Sequence, residues 1–239
     1  MKRSIIAALV AAGSLLSASM PSHAGISLSA TRVVYAQKDK EGAVTVKNQS
    51  SDDVMIQSWL ESQNDKQDDL PFAITPSLSR LNGGKQQILR IFYAGQGLPV
   101  DRESVFWLNV QEIPQKAKDD NTLQIAVRQR IKLFYRPTAL AGQPAEAAKQ
   151  LQWRWTVDGG KTQLEAVNDS PYFVSLAKAS VHIGTRTYTV VTEMVPPKSS
   201  KRMAIKDFSG HVPASGTRVE FDSINDFGAS DNNQAEIAR

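Results

Sequence analysis

Two stretches decide the fold: Val105-Phe106-Trp107-Leu108-Asn109-Val110, and Leu123-Gln124-Ile125-Ala126-Val127-Arg128-Gln129-Arg130-Ile131-Lys132-Leu133-Phe134-Tyr135. Both are rich in β-branched and aromatic residues, and the second alternates apolar with polar or small side chains at its start, the period of a β-strand. Working outward, shorter runs of the same character precede them at Arg32 to Tyr35, Ala43 to Lys47, Val54 to Leu60 and Gln87 to Tyr93. Between them lie turn formers such as Asn48-Gln49-Ser50-Ser51-Asp52 and Asn82-Gly83-Gly84, where Asn and Gly tolerate the positive φ of tight connections. No long segment carries the 3.6-residue period of a helix. This spacing of short strands and turns predicts a β-sandwich.

After Pro137 the composition shifts. Thr138 to Gln150 is Ala-rich with Gly142 and Pro144 and has no strand pattern, so it reads as an interdomain linker with its flanks. Strand-like runs resume at Leu151 to Val157, Gln163 to Val167, Tyr172 to Leu176, Thr187 to Val191 and Arg218 to Ile224. The expected division is an N-terminal domain at 25–140, a linker at 141–150 and a smaller C-terminal β-domain at 151–239. The polar tail from Ala229 to Arg239 is expected to fray.

Ahead of the first domain, Met1-Lys2-Arg3 puts positive charge before an apolar stretch from Ile5 to Leu16 that ends in Ser22-His23-Ala24. This reads as a signal peptide, 1–24, cut before Gly25, and it places the mature chain in a bacterial periplasm with no stable membrane insertion. The formal charge of +4 includes Lys2 and Arg3. With no localised basic stripe, nothing points to a nucleic-acid partner. The chain has no cysteine, which excludes disulfides, thiolate metal sites and a cysteine nucleophile.

Residues that carry chemistry are sparse. Beyond the signal only His182 and His211 remain, and neither falls in a His-x-x-x-His or Gly-x-Ser-x-Gly pattern. The acidic clusters Asp65 to Asp69 and Asp119-Asp120 lack calcium-loop spacing and read as solvated loops. The expectation is a binding protein with no catalytic residues, metal or cofactor.

Three segments are specific: Thr31-Arg32-Val33-Val34-Tyr35, Asp101 to Val110, and Arg130-Ile131-Lys132-Leu133-Phe134-Tyr135-Arg136-Pro137. In this order, with Ile224-Asn225-Asp226-Phe227-Gly228 near the end, they resemble the PapD-like periplasmic pilus chaperones across nearly the whole mature chain. The short connection from Pro114 to Thr122 is similar to the branch with a short loop between the last two strands. Thr75-Pro76-Ser77-Leu78 departs from the consecutive prolines common in relatives. The resemblance implies two immunoglobulin-like β-sandwich domains set at an angle around a cleft. It also implies pilin or fimbrial subunits as cargo and an outer-membrane usher as the delivery target.

The resemblance further assigns roles. Leu123, Ile125 and Val127 match the donor strand lent to an incomplete subunit, whose backbone completes a ladder while alternate side chains fill a groove. Arg32 and Lys132 match the paired cations that hold the subunit's terminal carboxylate, and Glu103, Arg136 and Asp226 match an interdomain salt-bridge set. Strict alternation puts Lys132 on the opposite face from Val127, so a bulge or strong twist between them is an open expectation. A competing reading is a secreted two-domain carbohydrate-binding protein or adhesin, for which Trp153 and Trp155, on one strand face, are the candidate platform.

Overall fold

The computed structural model describes residues 25–63, 70–115, 125–213 and 216–238. Within them the chain is all-β apart from one short helix. The first half contains β1 (Ile26–Leu28), β2 (Arg32–Ala36), β3 (Gly42–Asn48), β4 (Val54–Glu61), β5 (Phe72–Thr75), β6 (Leu78–Leu81), β7 (Gln86–Tyr93), β8 (Ser104–Ile113) and β9 (Arg128–Arg136). A four-stranded sheet, β1-β3-β7-β5, packs on a five-stranded sheet, β2-β9-β8-β4-β6. Alternate side chains point inward, so Val44 and Val46, Leu89 and Ile91, Leu108 and Val110, and Leu133 and Tyr135 form one core. Leu89, Leu108 and Leu133 are each 0% exposed, and burial of such a side chain contributes about 1.5–3 kcal/mol.

The second half contains a helical turn, α1 (Pro144–Ala147), then β10 (Gln152–Asp158), β11 (Lys161–Asn168), β12 (Leu176–Ile183), β13 (Arg186–Val190), β14 (Ser199–Ala204), β15 (Arg218–Ile224) and β16 (Ser230–Ala238). These strands form one sheet in the order β13-β12-β15-β16-β10-β11-β14. The sheet curls until its two edges touch at the Val190–Ile205 bridge, where Val191 N–H donates to the Ala204 carbonyl at 2.8 Å. Trp153, Leu164, Met203, Val219 and Phe221 fill the interior, and Ala147 and Ala148 join this second core.

Each half carries the same turn device. The fully buried Asn48 donates through Nδ2 to the Asp52 and Leu81 carbonyls, while its Oδ1 accepts from the N–H and hydroxyl of Ser50. Asn168 repeats this with the Tyr172 and Pro196 carbonyls and Ser170. A buried amide with every polar atom occupied fixes the turn without leaving a costly orphan.

Two expectations are corrected. The tail does not fray: β16 pairs with β15 antiparallel and with β10 in parallel, and Ile237 is buried in the second core. Being held on both sides overrides the polar composition that pointed to disorder. The run Tyr172 to Leu176 is not a strand up to Leu176: Val174 makes only an isolated bridge with Val195, and the backbone just before it turns to the domain interface. The Pro171 carbonyl accepts from Glu103 N–H at 2.9 Å, and Phe173 N–H donates to Glu103 Oε2 at 2.8 Å.

Candidate functional site

The parallel pairing of β2 with β9 sets Arg32 directly beside Lys132. Arg32 is 9% exposed and its NH1 donates to the Ile224 carbonyl of the second domain at 2.9 Å, leaving Nε buried without a partner. Lys132 Nζ reaches Ser175 Oγ at 3.4 Å, also across the interface. Neither cation makes a salt bridge among the described residues. Aromatic faces stand in for an anion: Arg32 lies 5.7 Å from the Phe134 ring centroid and Lys132 5.8 Å from that of Trp107. Burial pushes the Arg32 guanidinium below its ordinary value, against a partial opposing pull from Asp226. Burial, then the Arg32 charge, pushes Lys132 down as well. Two desolvated like charges thus stand side by side, an arrangement whose repulsion one anionic group would relieve.

Behind them, Arg136 joins the domains. Its Nε donates to Glu103 Oε1 at 2.6 Å, and NH1 and NH2 donate to the two Asp226 oxygens at 2.7 and 2.9 Å. Burial works to lower Arg136, but the hydrogen bonds and charges of Asp226 and Glu103 outweigh it and hold the guanidinium well above its ordinary value. Burial raises Glu103, with Arg136 and the Phe173 N–H offsetting only part of that rise. The structure therefore brings Glu103, Arg136 and Asp226 into one bidentate cluster across the interface.

The third set lies at the start of β9. Leu123 falls outside the described residues, as does most of the connection from Pro114 to Thr122. Ile125 is 71% and Val127 43% exposed. The β8–β9 register runs without a shift from Arg128 to Tyr135, and Val127 extends it by accepting from Glu112 N–H at 2.9 Å. No bulge separates Val127 from Lys132, so the two do face opposite ways. Val127 shares its face with the core residues Leu133 and Tyr135, yet is left exposed. The other edge of β9 is paired by β2 only from Lys132 onward.

Family models for the "Pili and flagellar-assembly chaperone, PapD N-terminal domain" and the "Pili assembly chaperone PapD, C-terminal domain" match residues 25–141 and 146–235. The chain belongs to the PapD-like pilus chaperones. It is 36% identical over 229 residues to the probable fimbrial chaperone YadV of Escherichia coli K12, covering 92% of each chain. The crystal structure of YadV superposes with a TM-score of 0.79 over 89% of this chain and 100% of that one. The chaperone protein LpfB of Salmonella typhimurium is 39% identical, over 86% of each chain. The structure of the Salmonella enterica SafA pilin in complex with the SafB chaperone matches at 28% identity and a TM-score of 0.74, covering 91% of this chain and 98% of that one.

In this pilus chaperone Trp153 and Trp155 are 1% and 7% exposed, so both belong to the core and offer no sugar-binding platform. His182 sits at the surface, its Nδ1 3.0 Å from Thr187 Oγ1 and its Nε2 3.5 Å from Glu220. Thr75–Pro76 is a cis peptide, and the Pro76 carbonyl accepts from Ser58 Oγ at 2.8 Å. Among the described residues no helix is long and apolar enough to cross a membrane. Sequence reading missed Ser175 and Phe173 as parts of the cleft, and it gave Ile224 no role beyond opening the motif that ends in Gly228. Nothing in the sequence around Ser175 and Phe173 assigns them to the site, because they reach it only when the second domain docks.

Proposed function

We propose that this pilus chaperone captures fimbrial subunits in the cleft, anchoring the subunit's terminal carboxylate between Arg32 and Lys132. Leu123, Ile125 and Val127 are lent to the subunit's incomplete sandwich. The observation that carries this reading is the Arg32–Lys132 pair: adjacent, partly desolvated, and without a salt bridge among the described residues. Exposed Ile125 and Val127, ahead of the part of β9 that β2 pairs, support the second half, since lent backbone completes a ladder while alternate side chains fill a groove. A carboxylate fixed at one end sets the register, because a slip of one residue turns every groove side chain to the wrong face.

The Glu103–Arg136–Asp226 cluster serves to hold the angle between the domains, so that cations and donor segment stay at a constant separation. Buried ion pairs add little net stability, and a positional role suits them better. The chain acts in the periplasm after removal of 1–24, delivers its cargo to an outer-membrane usher, and works by binding without turnover or cofactor. Co-expression with a fimbrial subunit from the same gene cluster tests the reading. The subunit is expected to co-purify from periplasm in equal amount, and its recovery without this chain would sink the proposal.

A further inference from the structure

The backbone of Glu112 holds Val127, but its side-chain carboxylate has no part in the cleft or the interdomain cluster. Glu112 continues the core-facing row of β8 beyond Leu108 and Val110, is 8% exposed, and its Oε2 is buried without a hydrogen-bond partner. Against that oxygen lies Gly25, the residue before β1 on the opposite sheet. A Cβ placed on Gly25 would overlap Glu112 Oε2, so any larger residue there would have to push the carboxylate aside. Gly25 is fixed there: its carbonyl accepts from Gln49 N–H at 2.8 Å, and Ile26 begins the ladder with Asn48. The backbone nitrogen of Gly25 is one bond from the Cα that the carboxylate touches, within roughly 4.5 Å of Oε2 by standard backbone geometry.

We infer that Glu112 is the docking site for the α-ammonium of the mature chain, an ion pair that exists only after cleavage before Gly25. The inference rests on that cleavage site. While residue 24 is attached, the nitrogen is a neutral amide and the carboxylate lacks its cation. Cleavage creates a positive charge beside an orphaned buried acceptor, which is the pairing such a group requires. The pair also lies at the root of the donor segment. Glu112 N–H holds the Val127 carbonyl, and Gln129 Nε2 donates to the Ile26 carbonyl at 2.6 Å, so processing completes the support from which Ile125 and Val127 project.

The test uses the full chain exported and purified from periplasm. Amino-terminal sequencing comes first, followed by the rate at which a small acylating reagent modifies the α-amine at neutral pH. An ion pair that raises an amine by one pKa unit lowers its reactive fraction about tenfold. The parent is therefore expected to react about tenfold more slowly than Glu112→Gln, which keeps the side chain's shape. A second variant, with one alanine inserted before Gly25, moves the ammonium about 3.8 Å away and should react as fast as the Gln variant while remaining folded by circular dichroism. A parent chain that starts at Gly25 but reacts as fast as both variants overturns the docking alone. A start elsewhere overturns the cleavage site and the pairing with it. Neither result involves subunit capture, so failure here is distinct from failure of the proposed function.

Discussion

Arg32 and Lys132 face one another across the parallel register of β2 and β9, two cations on neighbouring strands with aromatic rings rather than carboxylates against them. Removing either relieves repulsion in the free protein. In the free protein the loss is confined to single hydrogen bonds across the interface, Arg32 to the Ile224 carbonyl and Lys132 to Ser175, and the larger cost appears when an anion arrives.

Arg32→Ala or Lys132→Ala is therefore expected to leave folding and export intact and to weaken binding of a subunit carboxyl-terminal peptide. Truncating one partner of a buried charge-assisted pair costs about 2–5 kcal/mol, or about 30-fold to several thousand-fold in affinity. The double variant should be little worse than either single one, since both disrupt the same anchored carboxylate. Titration calorimetry with the peptide as free acid and as amide checks this. Equal binding of the two forms by the parent protein would remove the carboxylate anchor.

Ile125 and Leu133 give a paired test of the donor assignment. Leu133→Ala removes a fully buried side chain and is expected to destabilise the domain by about 2–5 kcal/mol. Ile125→Asp, at a position 71% exposed, should leave the thermal midpoint nearly unchanged while abolishing subunit co-purification, because a charge would enter an apolar groove. Unfolding of the Asp variant would place Ile125 in the core instead.

The depressed Lys132 makes a pH prediction with opposite signs for the free and bound protein. Its folded value lies below the ordinary 10.5, so the unfolded chain binds more protons in the window between the two, and Lys132 makes free-state stability rise with pH there. A bound carboxylate favours the ammonium and raises the same group. Affinity should stay constant below the free-state value and fall as pH climbs from it to the bound-state value. Peptide titrations across the alkaline range, repeated with Lys132→Arg, check it: the arginine variant should lose the alkaline decline. A decline that persists in that variant would assign it to another group.

Arg136→Ala leaves Glu103, with a side chain only 2% exposed, beside Asp226 without their shared cation. Removing one member of a buried pair costs about 3–5 kcal/mol, nearer the lower figure here because Asp226 is partly solvated. A lower thermal midpoint and a changed interdomain angle by small-angle scattering are expected, with peptide affinity reduced less than by Arg32→Ala. An unchanged midpoint together with unchanged scattering would count against a structural role for the cluster.

The sequence by itself determined the all-β character, the break between two β-units and the family, because β-branched and aromatic runs bounded by Asn, Gly and Pro are local signals and the motif residues lie in contiguous segments. Alternation left open whether a bulge or twist intervenes between Val127 and Lys132, and the unbroken register of β8 with β9 settles that they face opposite ways. Nor can alternation say which residues of one row are covered. Val127 and Leu133 share one side-chain row, yet only tertiary packing leaves one exposed and puts the other in the core. The tertiary structure likewise decided the fate of the polar tail, which becomes β16 because strands on both sides supply its hydrogen bonds. Ser175, Phe173 and the Ile224 carbonyl entered the cleft by the same route. They lie dozens of residues or more from their partners, Lys132, Glu103 and Arg32 respectively, and contacts made across a domain interface leave no period or spacing in the chain to be read.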